Sequence, residues 1–346
     1  MLAIQRQGAP HARILVLIEA TEESGSPDLP YILEHLKNRL GVPNFIVCLD
    51  SGCGNYEQLF ITSTLRGILM GDLHVATLTG GVHSGNGGGI VADTFRIATS
   101  LVARIEDRDT GKITIPELQP SISAATEKDV AAAAEVVGKE GMIDCFPFLP
   151  GGRPVVDPDT KNALLELALN RWYRPQLAVI GAAGLPGLSE AGNVLRPSTT
   201  LCLSIRLPPT VDTEVAASAI KDALTADVPH GAQASFTLRK SGAGWAAPQQ
   251  APWLQTACEK ASATVFGKPP VMIGEGGSIP FMGMLGKMYP YAQFLVTGVL
   301  GPGSNAHGPN EKLHLAYVMK LTTGIAHVLV LAIKNDMFIH FKFHFK

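Results

Sequence analysis

The first 50 residues contain a strand, a helix and a second strand, and this succession restricts the possible folds more than any other feature. The run 13–20 is apolar and of strand length, residues 28–40 place leucine and isoleucine at helical spacing, and 44–49 is a second apolar run. Two strands joined by a helix are nearly always parallel and form a right-handed crossover. The sequence therefore predicts an α/β sheet whose strands end at one edge, which is where open α/β sheets bind ligands.

The composition is typical of a folded, turn-rich protein. The chain has 346 residues, of which 46% are hydrophobic and 17% charged, with 36 glycines and 24 prolines. This length suffices for two domains with separate cores. A formal charge of −2 offers no basic excess for nucleic acid or an anionic membrane, and the apolar run 14–18 is too short for a membrane span or an export signal. We expect small molecules or peptides as partners.

Five cysteines are scattered along the chain without a C-x-x-C pair. This spacing indicates neither a disulfide framework nor a thiolate zinc site. A reducing, cytoplasmic location fits best. The cysteines are Cys48, Cys53, Cys145, Cys202 and Cys258.

The pattern of secondary structure changes after Asp50 and changes back near residue 240. Strands and helices alternate between 66 and 240 in an α+β manner, and the segment KSGAGWAAPQQ that starts at Lys240 is rich in residues that mark a domain exit. We predict one domain made of 1–65 and 241–335, with 66–240 inserted into it. The tail 336–346 alternates apolar residues with histidine and lysine, which fits a strand, but the sequence offers no partner strand for it.

Three carboxylates follow the first two strands. Glu22 and Glu23 lie in IEATEESGSPDL after the first strand, and Asp50 ends the second strand in FIVCLDSG. Because the crossover brings these ends to one edge, the charges repel unless a cation neutralises them, which predicts a divalent metal. A plainer interpretation stays open. Glu22 and Glu23 also suit the first turn of the following helix, where its dipole favours acids, and Asp50 suits the start of a turn.

Five motifs occur in a fixed order: EESGS, LDSG, GGVHSGNGG, GEGGSIP and AHGPNEK, the last of which contains His307 in a loop ahead of a helix. The ordered set resembles the M20 family of metallopeptidases, especially its carnosinase-like dipeptidases, from about residue 13 to 334. The resemblance implies an α/β catalytic domain with a mixed central sheet flanked by helices, interrupted by an α+β, ferredoxin-like lid that forms a homodimer. It also implies two zinc ions, with manganese or cobalt as alternatives.

The resemblance assigns roles to the matching residues of the α/β domain. Glu22 is expected to be the general base that takes a proton from the metal-bound water. Glu23 and His307 are expected to bind one zinc and Asp50 the other. Glycines permit close approach to a substrate, although most glycine runs are simply turns. Backbone donors and a hydroxyl for the substrate's carboxylate are expected from Gly276, Gly277 and Ser278.

Three residues of the insert also match the family pattern. His83, in GGVHSGNGGG, is expected to reach across a dimer and donate a hydrogen bond to the oxyanion in the partner's active site, and Asn193, in AGNVLRP, to add a second contact. Arg206, in LSIRLPP, is expected to hold the substrate's terminal carboxylate through its guanidinium. Without the resemblance, His83 is a residue of a mobile turn and Arg206 a solvated charge at a strand end.

Two elements of the family pattern are not found. The family places an H-x-D element and a metal-bridging aspartate upstream of the glutamate pair, but only 21 residues precede Glu22. His11 is followed by Ala12 and Arg13, and the first aspartate is Asp28. The sequence fits either a fragment of a longer product or a shortened homologue without catalysis, and the retained motifs favour the fragment.

The leading functional hypothesis is zinc-dependent hydrolysis of an amide bond in a dipeptide or short peptide with a free carboxylate. The motifs barely separate this activity from the deacylation of an N-acyl amino acid, although GEGGSIP and AHGPNEK favour a dipeptidase. The alternative from a different class is a non-catalytic dimerisation or binding module that keeps the lid without the metals.

Overall fold

The computed structural model describes residues 1–332 and 339–343, and the chain divides into two units. The first comprises 1–65, 122–172 and the residues from 245 onwards, and the second comprises 66–121 and 173–244. The division falls near the proposed boundaries at 66 and 240. The expectation of one continuous insert differs from the structure, because residues 122–172 belong to the first unit.

The first unit contains both helices and strands, which are numbered in chain order through the whole molecule. Its strands are β1 (Ile14–Ile18), β2 (Phe45–Cys48), β3 (Phe60–Leu65), β10 (Trp245–Ala246), β11 (Val271–Glu275), β12 (Gln293–Val296) and β13 (Ile339–Phe343). Its helices are α1 (Leu2–Arg6), α2 (Leu29–His35), α3 (Lys37–Leu40), α6 (Ala124–Lys139), α7 (Ala163–Trp172), α9 (Pro252–Phe266), α10 (Pro280–Met288) and α11 (Leu315–Leu331).

Two sheets organise the first unit. The larger sheet has the order β1-β13-β2-β12 and is parallel throughout, so that β1 and β2 end at the same edge, as the strand, helix, strand pattern predicts. Strand β13 occupies the position between them and supplies the partner that the sequence did not reveal for the tail. The smaller sheet has the order β10-β3-β11, with β11 parallel and β10 antiparallel to β3.

Helices α6 and α7 pack on each other and on β11, which explains why residues 122–172 belong to the first unit. Gly274 in β11 allows this contact, because a Cβ there would lie 2.4 Å from the Cβ of Trp172. The apolar face of α6 is buried at Val130, Ala133 and Val137. Helical periodicity predicts such a face but not the sheet that covers it.

The second unit is an α+β layer. Its strands are β4 (Gly67–Ala76), β5 (Val82–His83), β6 (Gln176–Ala183), β7 (Val194–Leu195), β8 (Ser198–Leu207) and β9 (Gln233–Gly242). Its helices are α4 (Ser84–Gly87), α5 (Thr94–Val102) and α8 (Thr213–Thr225). The antiparallel sheet has the order β6-β8-β4-β9, and α5 and α8 pack on it. The predicted fold class, an α/β domain with an α+β insert, is confirmed.

Buried and half-buried residues alternate along all ten positions of β8. A strand with one covered face shows this period of two. Over the parts of the chain that the structure describes, none of the helices combines the length and apolar character needed to cross a bilayer.

Candidate active site

The turn after β1 is anchored by a buried carboxylate, that of Glu19. This side chain is 5% exposed and accepts hydrogen bonds from the backbone N–H (2.8 Å) and hydroxyl of Thr21 and from the hydroxyl of Ser26 (3.1 Å). Residues 22–24 form one 3-10 turn, which Gly25 closes with a φ of 90°. The sequence reasoning missed Glu19, although an acid at the end of an apolar strand must find donors when it is buried.

His307 lies in a loop that holds three non-glycine residues in the left-handed backbone region. The φ angle is 53° at Asn305, 61° at His307 and 58° at Asn310. The side-chain amide of Asn305 donates to the carbonyl of Pro309 (2.6 Å). The backbone carbonyl of Asn305 accepts from the N–H of Gly308 (2.9 Å). Such conformations cost of order 1–3 kcal/mol each and persist where neighbouring contacts enforce them. The loop therefore imposes the backbone conformation of His307.

The structure brings Glu23 and His307 together. Nε2 of His307 lies 4.0 Å from Oε2 of Glu23, and the two side chains are 68% and 54% exposed. Zinc bonds to imidazole and carboxylate are about 2.0–2.2 Å long, so a modest side-chain movement would let both atoms bind one ion. Within residues 1–332 and 339–343, no three histidine, cysteine, aspartate or glutamate side chains converge closely enough to hold a metal. The pair fits part of a zinc site.

Asp50 is half-buried. It follows β2, which ends at the same edge of the larger sheet as β1. The N–H of Cys53 donates to the carbonyl of Leu300 (3.0 Å), which ties the segment after β2 to the segment after β12. Gly298 permits the closest approach, since a Cβ there would fall 1.6 Å from the carbonyl oxygen of Ser51. The structure thus places Asp50 near the base of the loop that carries His307, without completing a three-ligand group among the described residues.

Gly276, Gly277 and Ser278 connect β11 to α10. The side chain of Glu275 lies over Gly52, because a Cβ on that glycine would come 2.5 Å from Oε1 of Glu275. This contact places the start of the glycine loop beside the segment that follows Asp50. Three segments with proposed site residues therefore meet in the first unit.

His83 and Asn193, which the resemblance assigns to one role, lie together in the second unit. His83 pairs with Val194 between β5 and β7, and the N–H of Ser84 donates to the carbonyl of Asn193 (2.9 Å). Nδ1 of His83 accepts from the N–H of Gly85 (3.1 Å), so His83 caps the short helix α4. His83 and Asn193 are both exposed.

Arg206 lies near the end of β8 in the four-stranded sheet, whereas His83 belongs to the separate two-stranded sheet β5-β7. It stands eight residues after Ser198, the first residue of β8, and the chain enters that strand from the side of Asn193. At about 3.3 Å per residue the separation along the strand is roughly 26 Å. Burial lowers the pKa of the Arg206 guanidinium.

Comparisons with known proteins agree with one another. The model of a family described as peptidase family M20/M25/M40 matches residues 1–331. The chain is 25% identical over 310 residues to the cysteinylglycine-S-conjugate dipeptidase of Corynebacterium striatum, which covers 90% of the chain and 65% of that relative. It is 27% identical over 316 residues to the Cys-Gly metallodipeptidase DUG1 of Saccharomyces cerevisiae, with 88% and 62% covered.

The fold is similar to the crystal structure of human carnosine dipeptidase 1, with a TM-score of 0.70 and 22% identity. That likeness covers 90% of this chain and 65% of the human chain. The chain thus spans less than two thirds of the length of each of these three proteins.

Proposed function

Because the chain belongs to peptidase family M20/M25/M40, we propose that it hydrolyses the amide bond of a dipeptide or short peptide with a free carboxylate, using zinc. The observation that carries the proposal is the pairing of Glu23 with His307, whose side-chain atoms lie 4.0 Å apart. A carboxylate and an imidazole are donors that zinc takes in open catalytic sites. The names of the relatives support a dipeptide as substrate.

In this proposal Glu23 and His307 hold one zinc ion and Asp50 contributes to a second, with manganese or cobalt as alternative metals. Bound zinc acidifies a water molecule and polarises the scissile carbonyl. Glu22, next to Glu23 in the same turn, takes the proton from the attacking water and delivers it to the leaving amine. The loop residues donate hydrogen bonds to the terminal carboxylate of the substrate; they are Gly276, Gly277 and Ser278.

Replacing His307 by alanine is expected to weaken zinc binding by roughly 100-fold or more, because it removes one of the two donors that face each other. Titration of the purified chain with Zn²⁺ against a competing chelator measures this change. His35→Ala is the matched control, since it removes an exposed histidine that stacks on Tyr31 away from the pair. Equal zinc affinity in the His307→Ala variant and the unmodified chain would exclude His307 as a ligand.

We also propose a homodimer formed through the second unit. The resemblance assigns His83 and Asn193 to the oxyanion in a partner's active site, and this role requires that two copies associate. Strand β6 is an edge strand with an exposed apolar surface, in which Val179 and Ile180 are 50% and 54% exposed. An uncovered apolar edge of this kind is suited to pairing with a second chain.

Ile180→Lys is expected to shift the chain from dimer to monomer, because a charge on an exposed edge strand opposes association. Sedimentation velocity at several protein concentrations reports the change. Val215→Lys adds the same charge at a 52% exposed position of α8 in the same unit and should leave the dimer intact. A dimer that survives Ile180→Lys would place the interface elsewhere.

A reducing, cytoplasmic location is part of the proposal. Among the described residues the five cysteines form no disulfide, and Cys48, Cys53 and Cys258 are buried. Burial raises the pKa of Cys53 and of Cys258 to about 12, so both remain protonated at neutral pH. The cysteines therefore suit a compartment in which disulfides do not form.

A further inference from the structure

A cavity of about 630 Å³ lies in the first unit, and the segments that carry the proposed site residues form part of its wall. Its volume is within the range of about 300–1,000 Å³ that small-molecule sites occupy. Three segments of its wall come within three positions of proposed site residues: the wall includes Cys53 after Asp50, Glu275 before Gly276, and Ala306 before His307. The cavity therefore adjoins the candidate site.

The remaining wall comes from helix α7 and the turn after α6, and much of it is apolar or aromatic. Trp172 is 3% exposed and lines the cavity, with Gly274 packed against its side chain. Phe146 also lines it, is 50% exposed, and makes an edge contact with Phe148 at a ring-centroid distance of 6.3 Å. An exposed aromatic ring such as that of Phe146 can bind an apolar group of matching size.

The charges of the cavity do not favour a charged side chain. Arg171 lines it together with the acids Asp144 and Glu275, so that both signs are present. Nη1 of Arg171 donates to the carbonyl of Gly141 at 3.2 Å, which directs part of the guanidinium to the main chain. A ligand group with a single charge would meet repulsion as well as attraction.

From this geometry we propose that the cavity binds the substrate side chain on the amino side of the scissile bond and selects bulky, uncharged groups, aromatic or long aliphatic. This inference rests on the proposed dipeptidase function. The orientation follows from the glycine loop, because Gly276, Gly277 and Ser278 are assigned to the terminal carboxylate and lie outside the cavity lining. The residue on the other side of the amide bond is then the one beside the cavity.

Cys145 offers a direct test, since it is exposed and lines the cavity. Cys145→Trp fills part of this space and should lower kcat/KM for Phe-Gly by about tenfold or more, while the value for Gly-Gly stays unchanged. Cys145→Ser, which hardly changes the volume, should keep the ratio of kcat/KM for Phe-Gly to kcat/KM for Gly-Gly. Equal losses for the two dipeptides, or no loss for either, would overturn the proposal.

A second measurement works without turnover. Burial raises the pKa of the Cys145 thiol, so alkylation by iodoacetamide is followed at mildly alkaline pH. Millimolar Phe-Gly should slow alkylation of Cys145 about fivefold relative to Gly-Gly, by excluding the reagent from an occupied pocket. The half-buried Cys202 of the second unit is the internal control and should react at the same rate with either dipeptide.

The two readouts separate the two proposals. Protection of Cys145 by Phe-Gly in a chain that hydrolyses no dipeptide would sustain the cavity as a binding site and refute the proposed function. Hydrolysis of dipeptides without protection of Cys145 and without preference for Phe-Gly would sustain the function and refute the subsite.

Discussion

Replacing Glu22 by glutamine is expected to lower kcat about 10³-fold while the zinc content of the protein stays unchanged. The amide keeps nearly the shape of the carboxylate but cannot take a proton from water. Glu22 is half-buried in the 3-10 turn anchored by Glu19, so the substitution should not move the neighbouring ligand. Steady-state kinetics with a dipeptide and metal analysis of the same preparation give the two values.

Two variants of the same turn serve as controls for Glu22→Gln. Ser24→Ala changes an exposed side chain and should affect neither kcat nor zinc content. Glu23→Gln should reduce zinc binding, because it weakens the donor that faces His307. If Glu22→Gln lost zinc instead of turnover, Glu22 would be a ligand and the base would lie elsewhere.

Patterns of hydrophobic residues predict much of this fold where one face of an element is covered. Helix α9 runs from Pro252 to Phe266, as its sequence pattern predicts. The apolar pattern of residues 199–207 predicts a strand, and β8 covers this range and begins one residue earlier. In both elements one face is buried, and most of the buried positions are apolar, so the sequence shows the period of the element.

Other elements lack such a pattern for identifiable reasons. Strand β3 is covered on both faces and contains serine and threonine, so its residues do not alternate. Helix α10 follows a glycine run and begins at Pro280, and these residues resemble a loop in sequence. The sequence pattern predicts a long helix from Pro309, but helix α11 starts at Leu315, where His314 caps it and accepts the N–H of Tyr317 (3.1 Å).

The candidate site itself could not be predicted from periodicity. Glu23 and His307 are far apart in the chain, and only the ordered motifs that resemble the M20 family pair them in advance. The close approach at Gly298, by contrast with the local hydrogen bonds to Glu19, joins segments that are far apart in the chain. Local sequence carries no direct signal for such a contact.

Strand β13, the tail strand, links the glutamate turn (Glu22–Ser24) to the rest of the larger sheet. In the described part of that sheet β1 pairs with β13, and β13 pairs with β2 on its other side. Phe341 lies opposite Val16 on one side and Val47 on the other. A break at this position would therefore release β1, and with it the turn that carries Glu23, from the segments that hold His307.

Phe341→Pro is expected to destabilise the first unit by roughly 3 kcal/mol, because proline removes a ladder donor from a strand that pairs on both sides. Urea unfolding measures the loss of stability, and amide hydrogen exchange locates it. Exchange should accelerate at Val16 and stay unchanged at Leu203 in β8, which belongs to the second unit.

Phe341→Ile retains a strand-forming residue with its backbone N–H and should preserve both stability and exchange. Zinc affinity distinguishes a local effect from one that reaches the site. If β13 positions the glutamate turn, Phe341→Pro weakens zinc binding although it changes no ligand, and Phe341→Ile does not. Unchanged protection at Val16 in the proline variant would show that β1 is held by other contacts, and the dependence of the metal pair on the tail strand would then be wrong.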